Sequence, residues 1–302
     1  MINIGIVGFD TSHAVEFTKR INHKDISEDH WVYGARVKMG YPASPSSFVD
    51  DNVIAKRTQI LREYGVEIVN SAEEMIGKVD AVLLEQQEGG LHLEMAKPFI
   101  EAGIALFIDK PFACSVSDAR KIFHLAQSNN VPVFSSSALR YALEIQDLKQ
   151  RKDLGDILGA ETYSPATFHP KNPGLFNYGI HGVEMLYAIM GTGCESVRCF
   201  HKDGWDVVVG IWRDGRIGVF RGMRKGPYAY GFTAFYEKGI FSSSVDTRYV
   251  YRELLKRVIE MFETRRMPVN PEETIELISF LEASLKSSNE NSREYRITDI
   301  MA

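Results

Sequence analysis

The run LFIDKPFA, residues 106–113, decides the fold class of this chain. The apolar stretch Ile104–Ile108 has the composition of a buried strand, and it stops at Asp109, Lys110 and Pro111. Pro111 cannot continue a strand ladder because proline has no backbone N–H. Ligands bind at the carboxyl edge of the strands in open α/β sheets, so we predict that Lys110 lies at such an edge. A cation there could hold a substrate hydroxyl; the alternative is a solvated lysine in a turn.

The N-terminal segment has the order strand, turn, helix. An apolar strand pattern closes on Gly8, and a helix is predicted to follow. This order opens a dinucleotide-binding unit, whose usual fingerprint is G-x-G-x-x-G. Here the run is GFDTSH, in which Gly8 keeps the first glycine while Asp10 and His13 take the places of the second and third. A carboxylate at the second place should repel a pyrophosphate, although a helix N-terminus attracts anions. The alternative is a tight turn capped by Asp10, Thr11 or Ser12.

The second predicted strand, residues 35–39, runs into Gly40 and Tyr41. An acidic residue at this place would hold the ribose hydroxyls of NAD, and none is present. The serines of the following ASPSS run, residues 43–47, could instead hold a 2′-phosphate together with Lys56 or Arg57. That arrangement would favour NADP, and a plain surface loop is the alternative.

Further buried strands alternate with helical patterns up to about residue 135. They include DAVLLE from Asp80 and VPVFSSS from Val131, and the first of these leads into the polar run Glu85–Glu88. Strands that alternate with helices favour a parallel sheet with right-handed crossovers. We therefore predict an α/β fold whose N-terminal domain, residues 1–135, is a Rossmann-like, doubly wound parallel sheet.

The pattern changes in residues 136–302, for which we predict a second, α+β domain for substrate binding and oligomerisation. A bridging amphipathic helix is predicted over 138–153, followed by aromatic-rich strands with alternating patterns and hairpin signals at Asp214-Gly215 and Gly239. Helices are predicted over 248–264 and 271–287. This order favours an open, mostly antiparallel sheet with helices on one face. The other face would be free to bury another subunit.

A helix predicted over 174–190 carries Asn177, His181 and Glu184. Asn177 and His181 are four residues apart and would share a helical face. A histidine can exchange a proton near neutral pH, and Glu184 could orient its second ring nitrogen. The alternatives are a histidine satisfied within a domain interface, or a metal site with His169 and His181 as ligands. Because no short-spaced third ligand accompanies the two histidines, we predict no metal site.

In these features the chain resembles the Gfo/Idh/MocA family, which includes glucose-fructose oxidoreductase and inositol dehydrogenase. The resemblance covers nearly the full length. It rests on GIVGF, DAVLL followed by His92, IDKPFA where the family has E-K-P, Arg140-Tyr141, LGDILGAE, NYGIHGVEML and MPVNPEETIELISFLEASLKSS. The family transfers a hydride between NAD(P) and a carbinol carbon of a sugar or polyol.

The resemblance implies that Lys110 and His181 form the catalytic pair, with Asn177 where the family commonly has aspartate. His181 would take the hydroxyl proton, and Lys110 would stabilise the negative charge that develops on the oxygen. The cofactor would be NAD or NADP and the substrate carbohydrate-like. The implied cofactor-binding residues are Gly8, Phe9, Asp10, Thr11, Ser12, Tyr41, Gln86, His92, Asp109 and Lys110.

Two functions of other classes remain open at this point. The chain departs from the family in its glycine loop and in the Glu85–Glu88 run, and Asp10, Glu85 and Glu88 would place several carboxylates near the cofactor. A non-catalytic ligand-binding or regulatory protein with lost dinucleotide affinity is therefore one alternative, because fold alone does not determine function. A carbohydrate-active lyase or hydrolase with a trapped cofactor is the other.

Composition bounds the class of partner. The 302 residues carry a net charge of −5, which argues against a broad nucleic-acid or membrane-surface role. No run reaches the length of a membrane span, and the start MINIGIVGFD shows no secretion signal. Three cysteines without a CxxC spacing are typical of free thiols in a reducing compartment, so we expect a cytoplasmic protein. From the free face of the second sheet we expect a homodimer or homotetramer.

Overall fold

The structure, a computed structural model, describes residues 1–43 and 48–301, and the chain divides into two compact units. Unit 1 comprises Met1–Ala113, Ser117–Ser136 and Tyr251–Pro271. Unit 2 comprises Cys114–Val116, Ser137–Val250 and Glu272–Ala302.

Unit 1 is built on a parallel sheet, as predicted. Its six strands have the order β3-β2-β1-β4-β5-β6, and every neighbouring pair is parallel. This is the strand order of dinucleotide-binding doubly wound folds. The strands are β1 (Ile2–Val7), β2 (Ala35–Tyr41), β3 (Glu67–Ile68), β4 (Ala81–Leu84), β5 (Ala105–Ile108) and β6 (Val133–Phe134).

The central strands β4 and β5 are buried at every position. A parallel sheet covered on both faces requires such unbroken apolar runs, which explains why AVLL and ALFI do not alternate. In the described part of the chain, four α-helices lie in sequence between the strands of this unit. They are α1 (His13–Asn22), α2 (Asp51–Glu63), α3 (His92–Glu101) and α4 (Val116–Ser128).

Helix α7 (Val250–Thr264) belongs to unit 1 from Tyr251 onward, although the sequence analysis assigned this segment to the second domain. Its apolar residues Leu254, Leu255 and Val258 are at most 1% exposed. The Arg252 guanidinium also donates to the Asp29 carbonyl at 2.7 Å. This hydrogen bond joins residues 223 positions apart, so sequence order did not predict it.

Unit 2 contains the predicted mostly antiparallel sheet, of seven strands in the order β12-β11-β7-β10-β9-β8-β13. Strands β7 and β10 pair in parallel, and the other described pairs are antiparallel. The strands are β7 (Ile157–Pro165), β8 (Cys194–Lys202), β9 (Trp205–Trp212), β10 (Ile217–Met223), β11 (Gly231–Tyr236), β12 (Gly239–Ser244) and β13 (Tyr295–Arg296).

The helices of unit 2 differ from the prediction in their first part. The bridging helix predicted over 138–153 is interrupted, because Ala142 has extended backbone angles, φ −54° and ψ 141°. Single 3₁₀ turns lie on either side of α5, and a 3₁₀ turn over Gly174–Phe176 precedes α6. The helices are α5 (Leu143–Leu148), α6 (Ile180–Met190), α8 (Pro271–Asn289) and α9 (Ile297–Met301).

Among the described residues, no helix combines the length and the apolar character that crossing a membrane requires.

Candidate active site

The turn after β1 brings the backbone of residues 8 and 9 against its neighbours. Gly8 has φ +89°, and a Cβ there would lie 2.5 Å from the Gln86 nitrogen, so only glycine fits this position. The amides of Gly8 and Phe9 donate to the carbonyls of Tyr41 and Pro42, each at 3.0 Å. The first glycine of the fingerprint therefore lets the ends of β1, β2 and β4 meet closely.

Asp10, at the second glycine position, is fully buried. Its carboxylate accepts hydrogen bonds from the Gln86 side-chain amide at 2.9 Å and from the Gln87 backbone amide at 3.1 Å. The Asp10 side chain is thus hydrogen-bonded to the loop that follows β4. Among the three predicted capping residues, Thr11 accepts a hydrogen bond from the His13 amide at 3.2 Å, whereas Ser12, the N-cap, makes no side-chain capping bond.

A pocket of about 340 Å³ lies at the carboxyl edge of β1, β2 and β4. Its lining includes two predicted cofactor-binding residues, Tyr41 and Gln86, and the carboxylates Glu73 and Glu94. The predicted phosphate-binding cation Arg57 instead donates to the Phe9 carbonyl at 2.9 Å. Residues 44–47, the serines predicted to accompany it, lie outside the described residues.

Lys110 follows β5 at the predicted edge but is buried, at 7% exposure, rather than solvated. Its ammonium lies 3.9 Å from Asp109 Oδ2, and the same oxygen lies 2.9 Å from His13 Nδ1. Glu85 Oε2, at the end of β4, is 3.6 Å from that imidazole nitrogen. The end of β5 thus carries two cationic groups and two carboxylates in a buried cluster, defined here as His13, Glu85, Asp109 and Lys110.

Burial and the charges of neighbouring groups shift the pKa values of residues in this cluster. Burial lowers the pKa of His13, but the Asp109 carboxylate outweighs burial and raises this pKa to about 9. Burial is the main cause that raises the pKa of Glu85 to about 7. Burial alone would raise the pKa of Asp109, yet the charges of His13 and Lys110 hold it well below its usual range. Asp109 is therefore the permanent anion of the cluster.

Two aromatic or imidazole neighbours support these groups. The hydroxyl oxygen of Tyr251, on α7, lies 3.2 Å from His13 Nε2. His92, predicted to bind cofactor, is fully buried, and its ring nitrogens lie 2.6 Å from the Gln86 carbonyl and 3.2 Å from the Phe112 carbonyl. Burial lowers the pKa of His92. We infer that His92 braces the loops after β4 and β5; direct cofactor contact stays a prediction.

In unit 2, His181 is the second residue of α6. Its Nδ1 lies 2.6 Å from the Ser137 hydroxyl, which also accepts the Leu139 amide at 3.2 Å. The rings of Tyr178 and Tyr230 lie edge-on to the imidazole, with centroids 5.0 and 6.2 Å away. The ring orientation is therefore set by a hydroxyl and two aromatic neighbours.

Glu184 forms an ion pair with Arg140, and an orienting role of Glu184 towards His181 stays a prediction. Its carboxylate accepts from Arg140 Nε at 2.7 Å, and the same guanidinium lies 2.6 Å from Glu273. Arg140 and Glu184 are both buried. Removing either charge would leave the other buried without compensation, which destabilises the fold. Position 184 therefore serves a buried ion pair that links α6 to the segment after Ser137.

Asn177 and His181 do not share an α-helical face, because α6 begins at Ile180 and Asn177 precedes it. Residues 177–179 form a turn, and Gly179 is the N-cap residue of α6. The Asn177 amide donates to the Thr167 carbonyl at 3.0 Å. A catalytic role for Asn177 stays a prediction.

The structure groups metal-capable side chains where the sequence analysis did not look. Within residues 1–43 and 48–301, His13, Glu85 and Asp109 have ligand atoms within 4.8 Å of one another, and no such group of three contains His169 or His181. Its members come from three separate segments. Two features of the sequence could have indicated this group: the imidazole of His13 at the third glycine position and the carboxylate of Glu85 directly after β4.

Comparisons with known proteins support the fold. Residues 2–137 match the family model GFO_IDH_MocA, described as an oxidoreductase family with an NAD-binding Rossmann fold. The model covers just under half of the chain, and in this part the chain is similar to the Gfo/Idh/MocA family. The predicted resemblance is thereby confirmed for residues 2–137, the region that holds Asp10, Lys110 and the buried cluster.

Relatives resemble both units at low identity. An uncharacterised oxidoreductase of Streptococcus pneumoniae is 24% identical over 154 residues, which is 46% of this chain and 42% of that protein. A solved scyllo-inositol dehydrogenase of Lactobacillus casei is 14% identical, with a TM-score of 0.79 and 99% of each chain covered. A solved probable dehydrogenase of Thermotoga maritima is 19% identical, with a TM-score of 0.78, covering 99% of this chain and 100% of that one. At such identity the solved structures show the shared fold alone.

Proposed function

We propose that the chain is an NAD-dependent oxidoreductase that transfers a hydride to or from a sugar-like or polyol substrate. The observation that carries this proposal is Lys110, a buried cation at the carboxyl edge of β5 in an NAD-binding Rossmann unit. Ligands of doubly wound sheets bind at that edge. A buried cation aimed at a ligand edge can stabilise negative charge on a reacting oxygen.

The residues present fit the adenosine half of a dinucleotide. The pocket at the edge of β1, β2 and β4 is lined by Tyr41, Gln86, Glu73 and Glu94. A carboxylate in such a pocket accepts from ribose hydroxyls and repels a 2′-phosphate, which supports NAD over NADP. Arg57, engaged with the Phe9 carbonyl, supports the same preference. When bound, NAD supplies the carbon that accepts or returns the hydride.

Lys110 and His181 have distinct proposed roles. Lys110 donates a hydrogen bond to the substrate oxygen and stabilises the negative charge on that oxygen. Burial strengthens this electrostatic interaction because it lowers the local dielectric constant. Asp109 lies 3.9 Å from the ammonium and holds it at the strand end. In unit 2, the Ser137 contact holds His181 Nδ1, so proton exchange with the substrate hydroxyl uses Nε2.

One observation favours a second candidate function, a ligand-binding protein with weak dinucleotide affinity. Asp10 occupies the second glycine position and is held there by Gln86 and Gln87. A fixed negative charge at a phosphate turn opposes a pyrophosphate. The cofactor titration below separates the two functions directly.

The test begins with fluorescence titrations of the purified protein with NADH and NADPH. We expect saturable binding of NADH that is tighter than binding of NADPH. A panel of cyclitols, other polyols and aldoses is then screened for cofactor reduction, since the solved Lactobacillus casei relative holds NAD(H) and scyllo-inositol. Failure to bind either nucleotide would support the ligand-binding candidate.

Lys110→Met tests the catalytic role with a side chain of similar length and no charge. Turnover should fall by about a hundredfold or more, because one stabilising donor at a developing oxyanion contributes that much. Lys97→Met, on an exposed lysine of α3, is the matched control and should keep wild-type turnover. Wild-type kcat in Lys110→Met would rule out the assigned role.

We further propose a cytoplasmic location, which the three free cysteines favour.

A further inference from the structure

We propose that His13, Glu85 and Asp109 form a binding site for a divalent transition-metal cation such as Zn²⁺ or Mn²⁺. Their ligand atoms lie within 4.8 Å of one another, and all three side chains are buried. They converge from the start of α1 and from the ends of β4 and β5, where a doubly wound sheet binds ligands. This inference does not depend on the oxidoreductase activity proposed above.

Glu85 supplies the independent evidence for a cation. The residue is 0% exposed, and neither carboxylate oxygen has a hydrogen-bond donor in the described structure. Asp109 Oδ1 is likewise buried without a donor. Buried carboxylate oxygens are costly unless they are hydrogen-bonded, ion-paired or bound to a metal. Two carboxylates that keep such oxygens, together with the His13 imidazole, offer the donor atoms of a metal centre.

The distances suit direct coordination. His13 Nδ1 lies 2.9 Å from Asp109 Oδ2 and 3.6 Å from Glu85 Oε2. Zinc–nitrogen and zinc–oxygen bonds of about 2.0–2.2 Å, at angles between octahedral and tetrahedral, place neighbouring ligand atoms about 2.8–3.6 Å apart. A cation could therefore be accommodated with little movement of these side chains.

The surroundings of His13 present the correct ring nitrogen. Its Nε2 lies 3.2 Å from the Tyr251 hydroxyl, and its ring stacks on Phe17 with centroids 4.8 Å apart. Metal-bound histidines commonly donate their second N–H to such a partner, which directs the other nitrogen to the metal. Donation from Nε2 to Tyr251 leaves the Nδ1 lone pair facing the two carboxylates.

The donor set also selects the metal. One imidazole and two carboxylates suit Zn²⁺, Mn²⁺ or Fe²⁺, whereas Mg²⁺ keeps several waters and prefers oxygen ligands throughout. The two carboxylates balance a divalent charge. Lys110 lies 3.9 Å from Asp109 Oδ2, and its charge weakens binding of the cation. The competing occupant of this space is a proton on Nδ1.

The experiment measures metal uptake by the full-length protein. The protein is stripped with a chelator, equilibrated separately with Zn²⁺, Mn²⁺ and Mg²⁺, and assayed for bound metal by mass spectrometry after gel filtration. We expect about one Zn²⁺ or Mn²⁺ per chain and negligible Mg²⁺. Glu85→Gln should weaken uptake about tenfold or more, while Glu101→Gln, on an exposed carboxylate of α3, should match the wild type.

A spectroscopic arm separates this site from adventitious binding elsewhere. Co²⁺ should give visible absorption bands in the wild type that His13→Gln removes, with far-UV circular dichroism confirming that the variant is folded. Sub-stoichiometric uptake by the wild type would overturn the proposal and assign the space to a proton. Wild-type uptake by folded Glu85→Gln would overturn it as well. The nucleotide titrations are scored separately, so failure of the metal site leaves the proposed hydride transfer standing.

Discussion

At the scale of single residues, the end of β5 shows how burial and neighbouring charge divide the roles of similar groups. Asp109 lies between the imidazole of His13 and the ammonium of Lys110 and stays ionised. Glu85 Oε2 lies 3.6 Å from the same imidazole, and its carboxylate has no hydrogen-bond donor among the described residues. Its pKa is raised to about 7, mainly by burial. Two carboxylates in one cluster therefore differ in charge near neutral pH.

The raised pKa of His13 has a consequence for stability in protein stripped of divalent cations. Because this pKa rises from 6.5 to about 9 on folding, protonated His13 stabilises the fold fully below pH 6.5, and this contribution is lost as pH rises towards 9. Glu85, whose pKa is also raised, changes stability in the same direction between about 4.5 and 7. Denaturant unfolding should show stability falling by up to about 3 kcal/mol between pH 6.5 and 9.

His13→Gln is the variant that tests this assignment. It should flatten the decline above pH 6.5, because the titrating group is removed. His124→Gln, on an exposed residue of α4, should keep the wild-type slope. An equal decline in His13→Gln and wild type would show that another group titrates.

Asp10 allows charge and structure to be separated at the phosphate turn. Asp10→Asn keeps the volume and removes the charge, and Gln86 Oε1, buried without a donor in the described structure, can accept from the new amide if the Gln86 side chain flips. We expect NADH affinity to rise about fivefold, roughly 1 kcal/mol, because a nearby like charge is removed. Fluorescence titration gives the affinity, and weaker binding than wild type would contradict the expectation.

Asp10→Gly is the companion variant. It also removes the charge, but it leaves the Gln86 and Gln87 donors without their acceptor. Unfolding free energy should fall by about 1–3 kcal/mol relative to wild type, whereas Asp10→Asn should lose less. Equal stability of the two variants would mean that the hydrogen bonds to the β4 loop contribute little.

At the scale of elements, α6 owes its position to the close approach of its backbone to the sheet. A Cβ at Gly182 would lie 2.6 Å from Phe220 Cδ2 and 3.0 Å from Ser164 Oγ. Thr162 Oγ1 donates to the Gly182 carbonyl at 2.9 Å. Glycine is unfavourable inside a helix, but here it lets α6 lie on β7 and β10 and places His181 beside Ser137.

Gly182→Ala should therefore disturb the element rather than one contact. We expect a loss of about 1–3 kcal/mol in unfolding free energy, because overpacking outweighs the gain in helix propensity. Gly90→Ala, where a Cβ would meet nothing within 4 Å, is the control and should unfold like the wild type. Unfolding measured in urea reports both, and a stability of Gly182→Ala equal to that of Gly90→Ala would be inconsistent with the close contact.

At the scale of the whole molecule, the second sheet has one face covered within unit 2. Trp212, Phe220 and Phe232, three aromatic residues of the strands predicted to be aromatic-rich, are at most 1% exposed. Trp212 packs on Tyr187 of α6 with ring centroids 5.8 Å apart. They belong to the core of the unit, so the aromatic content of the strands overstated the exposed set.

The opposite face carries a different apolar set, because strand residues alternate between the two faces. On β9 and β10 the apolar exposed and half-exposed positions of this face are Trp205, Val207, Val209, Ile211, Ile217, Val219 and Met223, and one charged residue, Arg221, lies among them. Monomers seldom expose large contiguous apolar patches. We therefore keep the prediction of a homodimer or homotetramer and expect its interface within residues 205–245.

Light scattering at micromolar concentration tests the assembly. The wild type should have at least twice the 34.1 kDa mass of one chain, since two-fold contact of this face would bury it. Ile217→Glu, at a position 51% exposed in the single chain, should shift the mass towards the monomer. Met267→Glu, on an exposed residue of unit 1, should not. A monomeric wild type would refute the prediction.

The sequence by itself determined the parallel sheet of unit 1, the strands of unit 2 and the place of Lys110. These follow from local patterns: unbroken apolar runs in β4 and β5, alternation in β9 and β10, and a proline that ends a strand. Only the tertiary structure decided that Asp10 serves the β4 loop, that Glu184 pairs with Arg140, and that His13 meets Glu85, Asp109 and Tyr251. The His13 and Tyr251 side chains are 238 positions apart in the chain. Contacts between such distant side chains leave no periodic signal, because folding alone brings the groups together, and burial then sets their charges.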